Sequence, residues 1–174
     1  MSDPEGTAES ILVDLARRTI ETYVLENRRI ELSENMAGGG KAGVFVSIKK
    51  HKQLRGCIGT LQPVTEDVFH EVVENAISAA TRDPRFPPVT SEELEELEIS
   101  VDVLSLAEPV RNITLLDPGR FGVIVKSGGR TGVLLPDLEG IEDAESQVSI
   151  ARRKAGIGED DPVELFRFEV KRHT

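Results

Sequence analysis

The chain has one cysteine, Cys57, in 174 residues, so no intrachain disulfide can form. Its three histidines are scattered and offer no zinc-ligand spacing, and the cysteines that an iron–sulfur cluster requires are missing. No metal site and no cofactor are therefore expected. No apolar run approaches the ~18 residues that read as a membrane span. The first residues, Met1-Ser2-Asp3-Pro4-Glu5, lack the basic and apolar regions of a signal peptide. Together these absences predict a soluble, cytoplasmic protein with no membrane partner. The formal net charge of −10 opposes nonspecific encounter with nucleic acid or anionic lipid, leaving a local basic patch as the route to such binding.

With 39% apolar residues, the chain can bury one good core, or two small subdomains sharing one, and a single domain over residues 1–174 is expected. Apolar residues at helical spacing (Ala8, Ile11, Leu12, Leu15, Ile20, Tyr23, Val24) predict a helix over residues 7–27 that covers a sheet. The stretch 33–42, with Gly38-Gly39-Gly40, reads as a flexible connection. A hairpin follows. A three-residue loop at 50–52 would set Val44, Val46 and Ile48 on one face with Leu54, Gly56 and Ile58, and Phe45, Ser47, Lys49, Gln53, Arg55, Cys57 and Gly59 on the other.

A second helix is predicted over residues 66–82 with Thr65 as its N-cap. The run Asp83-Pro84-Arg85-Phe86-Pro87-Pro88 forbids regular structure after it. Thr90 and Glu93 form a capping box for a short acidic helix, and a strand follows over residues 98–104. Further along come a hairpin turning at Gly128-Gly129, a helix over residues 144–155 that ends at Gly156 or Gly158, and a last strand over residues 163–170. Helices mixed with hairpins predict an α+β fold, with a largely antiparallel sheet and flanking helices.

The candidate chemistry centres on Leu54-Arg55-Gly56-Cys57-Ile58-Gly59. Two glycines inside a strand mark a bulge or a close approach to the backbone. Arg55 lies two residues from Cys57, roughly 7 Å along a strand, where its cation would favour the thiolate. A buried packing cysteine and a reactive one both remain open on spacing alone. A Cys/His pair is disfavoured, because His51 lies about 20 Å away along an extended strand and His70 sits between acids on a helix surface. Phe45 and the basic residues around the first hairpin, Lys49 among them, would suit a phosphate, a single-stranded base or an acidic peptide. Gly128-Gly129-Arg130 would equally cradle an anion. Asp83, Glu98 and Asp102 would serve as acid and base if they converged.

These motifs stand in a recognisable order: the Leu54–Gly59 string, Asn75-Ala76, Asp83-Pro84-Arg85-Phe86, Leu97-Glu98-Ile99, Gly129-Arg130-Thr131-Gly132 and Lys154-Ala155-Gly156. In this the chain resembles the AMMECR-one domain family over nearly its whole length, and in particular protein A of the AmmeMemoRadiSam system. The resemblance implies an α+β fold of two closely packed subdomains. It also implies the company of a Memo-like protein and a radical S-adenosylmethionine enzyme, with RNA or a nucleotide as further possible partners. The signature residues carry over to Arg55, Gly56, Cys57 and Gly59, to Asp83, Arg85 and Phe86, and to Glu98.

Two functions follow. In the favoured one, the chain is a recognition module or accessory subunit that binds through the Arg55-Gly56-Cys57 strand face, with Phe45, Ser47, Lys49, Gly59, Arg85, Phe86 and Arg130 as contacts. In the alternative, it is an enzyme in which Cys57 is nucleophile or acceptor thiol, Arg55 assists it, and Asp83 or Glu98 moves the proton.

Overall fold

The computed structural model describes residues 4–174, with side chains from Ile11 onward, and divides the chain into two units. The first runs to Val103 and takes in Lys171–Thr174, and the second is Leu104–Val170. The fold is α+β with two antiparallel four-stranded sheets, where the sequence suggested one.

In the first unit, α1 (Pro4–Glu26) and α2 (Val68–Thr81) lie over a sheet of β1 (Val44–Lys50), β2 (Gln53–Gly59), β3 (Leu97–Leu104) and β8 (Val170–His173), in the order β2-β1-β3-β8. Leu12, Leu15, Ala16 and Ile20 recur at helical spacing, and the buried stripe they make joins Val72, Ala76 and Ile77 of α2 above Val44, Val46, Ile48, Ile99 and Val101. Ile11 was expected on that stripe but lies at its margin, 42% exposed. Ala8 lies outside the described side chains.

The N-cap of α2 is Asp67, not Thr65. Asp67 has extended backbone, and its carboxylate accepts the His70 N–H at 2.9 Å, so the helix starts two residues later than expected. The stretch 33–42 is tied down rather than loose: Gly38 N–H donates to Asp67, Val68 N–H donates to Gly40 O, and Gly39 lies against the Phe69 ring. A Cβ at Gly39 would come within 2.9 Å of that ring.

The first hairpin corrects the expected register. Its turn is two residues, His51 and Lys52, both at positive φ (51° and 64°), the twist that matches flanking strands. Lys50 therefore opposes Gln53 and Lys49 opposes Leu54. A bulge then shifts the ladder so that Ile48 opposes Gly56, Ser47 opposes Cys57 and Phe45 opposes Gly59. Arg55 is the extra residue. Leu54 consequently turns away from the core and is 41% exposed, Gln53 falls opposite Lys50 instead of on the Lys49 face, Arg55 leaves the ladder, and the expected two-face division stands only from Gly56 to Gly59.

In the second unit, β4 (Glu108–Val110), β5 (Gly122–Ser127), β6 (Arg130–Leu134) and β7 (Glu164–Phe168) form a sheet in the order β4-β7-β5-β6. Val123, Val125 and Leu134 pack with Val148 and Ala151 of α3 (Ala144–Ala155), which ends at Gly156 with φ 68°. The single last strand expected over residues 163–170 is two strands, β7 and β8, one in each sheet.

Candidate functional site

Cys57 sits on β2, an edge strand, on the sheet face away from the helices. Pairing lines it up with Ser47 on β1 and Ser100 on β3. Its Sγ is 3.2 Å from Ser47 Oγ, with either group as donor, and the residue is partly exposed. Phe45 and Lys49 flank Ser47 on the same face by strand alternation.

Both glycines of the string have packing reasons. A Cβ on Gly56 would stand 2.2 Å from Ala79 O, because the α2 backbone rests on the strand there. A Cβ on Gly59 would stand 2.2 Å from the Phe45 ring, which lies across it. Close approach is therefore the cause, and the bulge falls beside it at Arg55.

Arg55 does not attend the thiol as expected. Its guanidinium forms a two-pronged bond with Glu93, Nε at 2.9 Å and Nη2 at 3.1 Å, and also donates to Pro88 O. Glu93 accepts from Lys50 Nζ at 3.2 Å and closes the predicted capping box by accepting the Thr90 N–H at 2.9 Å. The Arg55 bond, working against burial, draws the Glu93 carboxyl from its ordinary 4.5 to about 2.

The cation near Cys57 is Arg85. Asp83, buried, accepts the Cys57 N–H at 3.0 Å and binds Arg85 through Nε at 3.0 Å and Nη2 at 2.8 Å, while Arg85 Nη2 also donates to Cys57 O at 3.4 Å. One ion pair thus satisfies both edge-facing backbone groups of Cys57, in place of a further strand. The Arg85 bonds, against the opposing effect of burial, hold Asp83 well below the usual carboxylate range. Asp83 is therefore held as an anion with both carboxylate oxygens engaged. Arg85 is 55% exposed and lies over the Phe86 ring at 5.5 Å.

The other expected residues are dispersed. Glu98 is exposed on β3 opposite Lys49, on the same face as Cys57 but about 12 Å from it between backbone positions. Asp102 is bound by Arg172, at 2.8 and 2.9 Å. Arg130 belongs to the second unit, where its guanidinium donates to Gly156 O. His51 meets Glu96, and His70 lies between Glu66 and Asp67. Among the described residues, no three histidine, cysteine or carboxylate groups converge as a metal would require.

Sequence reasoning missed Glu71. It is fully buried, and its carboxylate accepts from Thr60 Oγ1, Val64 N–H and both donors of Thr65, at 2.6–3.0 Å. Burial pushes its pKa up, but those bonds outweigh it and leave the group below its ordinary value. Asn75, one turn on, donates to Val44 O at 2.8 Å. The signal was present in the four-residue spacing of Glu71, Asn75 and Ala79, which continues the buried face of α2.

The AMMECR1 family profile matches residues 13–173. The chain belongs to the AMMECR1 family. A Thermotoga maritima protein is 49% identical over 166 residues, covering 92% of this chain and 95% of its own length. A Clostridium acetobutylicum protein is 43% identical over the same share of this chain, which there spans only 35% of the relative. The crystal structure of the uncharacterized protein PH0010 from Pyrococcus horikoshii matches with a TM-score of 0.85 at 31% identity, covering 99% of this chain and 92% of that one. Much of what makes the AMMECR1 string distinctive here is architectural: Gly56 seats a helix, Gly59 seats an aromatic ring, and the Cys57 backbone receives the Asp83–Arg85 pair.

Proposed function

We propose that this AMMECR1 domain is a recognition module or accessory subunit of a macromolecule-modification system, presenting the Arg55-Gly56-Cys57 strand face to a nucleotide, RNA or protein partner. Its companions on this reading are a Memo-like protein and a radical S-adenosylmethionine enzyme. One observation carries the preference for binding over catalysis. The carboxylates nearest the string, Asp83 and Glu93, are each locked to an arginine with a lowered pKa, and the thiol's hydrogen-bond partner is a hydroxyl. A cysteine nucleophile needs a base within reach. The alternative, an enzyme using Cys57 with help from Arg55 and a carboxylate, is weakened by the engagement of Arg55 with Glu93. The Clostridium relative, in which the domain is about a third of a longer chain, supports use as one part of a larger machine.

The test compares two changes at Cys57 in binding assays with the Memo-like and radical-enzyme partners. Cys57→Ser keeps the polar contact to Ser47 and is expected to leave binding within about twofold, whereas alkylation with a bulky maleimide is expected to abolish it. An alkylation profile with an apparent pKa clearly below the ordinary ~8.5, together with loss of function in Cys57→Ser, establishes the enzymatic reading instead.

A further inference from the structure

Away from the Cys57 face, the first unit contains a cavity of about 660 Å³ between the segment that leaves α1 and the first turns of α2. That volume is within the range of small-molecule sites, ~300–1,000 Å³. Ile30, Leu32, Met36 and Val73 supply an apolar floor continuous with the core. The wall is built in advance, since Gly38 N–H bonds Asp67 and Gly40 O receives the Val68 N–H just beyond it.

The rim is acidic, and its cations are already matched. Arg29 pairs with Glu74, and the His70 ring is 3.0 Å from Glu66 and 2.8 Å from Asp67. Glu31 and Glu34 line the same cavity, exposed, with no hydrogen-bond or ion-pair partner among the described residues. A surplus of negative charge above an apolar floor repels anions. A metal ion is disfavoured as well, because among the described residues no three ligating groups converge.

We propose that this cavity binds a small aliphatic ammonium ion, its head between Glu31 and Glu34 and its alkyl body on Ile30, Leu32, Met36 and Val73. An ammonium offers three donors to the two carboxylates. Each methylene buried on the floor strengthens binding about fourfold.

The chain has two methionines, Met1 and Met36, so carbon-13 labelling of methionine methyls gives a reporter inside the cavity. The probe is n-hexylamine, with 1-hexanol as its uncharged counterpart. Hexylamine is expected to shift the Met36 resonance saturably at millimolar concentration and to bind about tenfold more tightly than hexanol, from two exposed charge pairs worth about threefold each. The double variant Glu31→Gln, Glu34→Gln should bring hexylamine down to hexanol's affinity, with the Met36 resonance of the free protein unmoved. An unresponsive Met36, equal binding of hexanol and hexylamine, or a double variant that binds hexylamine undiminished would each overturn the assignment.

Discussion

Glu93→Gln tests the reassignment of Arg55. Both side chains of the pair are largely buried, 12% and 16% exposed, and the carboxylate takes two bonds from the guanidinium. Glutamine has the shape of the protonated acid, so the variant fixes the neutral state at every pH. Glu93 has a lowered folded-state pKa, so its contribution is present above the unfolded value of 4.5 and is lost as pH falls through about 2. The difference amounts to about 3 kcal/mol at pH 7 and about 1 kcal/mol at pH 3. Urea unfolding of both proteins at the two pH values measures it, and a stability gap of the same size at pH 7 and pH 3 refutes the pairing. The same variant separates Arg55 from Cys57. Its alkylation rate against pH should match that of the wild-type protein, and a shifted profile would mean that Arg55 does act on the thiol.

Gly56→Ala should cost more than Gly59→Ala, because the first places a methyl against helix backbone and the second against a single side chain, which shifts more readily than a docked helix. The overpacking range of about 1–3 kcal/mol applies to Gly59, with Gly56 at or above its upper end, and thermal unfolding ranks them. Asp83→Asn should cost about 2–3 kcal/mol through the weakened Arg85 pair, and hydrogen exchange should show faster opening at the Cys57 amide. Glu71→Gln, with fewer acceptor sites for the same four donors, should lose about 2 kcal/mol and deprotect the Val64 and Thr65 amides. Unchanged exchange there would show that the carboxylate does not hold the segment.

The local patterns read correctly were those with a local cause. The period of Leu12, Leu15 and Ile20 declared α1, the Thr90–Glu93 box declared the turn before β3, and Gly156 ended α3 where a left-handed residue was needed. The alternation of Val44, Val46 and Ile48 fixed which face of β1 is buried. The string around Cys57 was also legible as a place of close approach, since only glycine leaves room for the α2 backbone and the Phe45 ring. What approached it was not legible, because Ala79 is 23 residues from Gly56 along the chain and their meeting depends on how α2 docks.

Long-range pairing decided the rest. Strand spacing put Arg55 near Cys57, but the bulge makes Arg55 the unpaired residue and turns it to Glu93, a partner 38 residues away. The neighbour that Cys57 acquires instead, Arg85, comes from the proline-rich loop and is oriented by a buried aspartate. Likewise, residues 163–170 read as one strand, and only sheet assembly shows that the chain passes from one sheet to the other at Glu169. By itself the sequence determined most of the elements, the buried faces of α2 and β1, and the family, because those follow from periodicity and short motifs. Which cation meets which anion, and therefore what the Cys57 face can do, was decided by tertiary structure, because ion pairs form between whichever side chains the packing brings within a few ångströms.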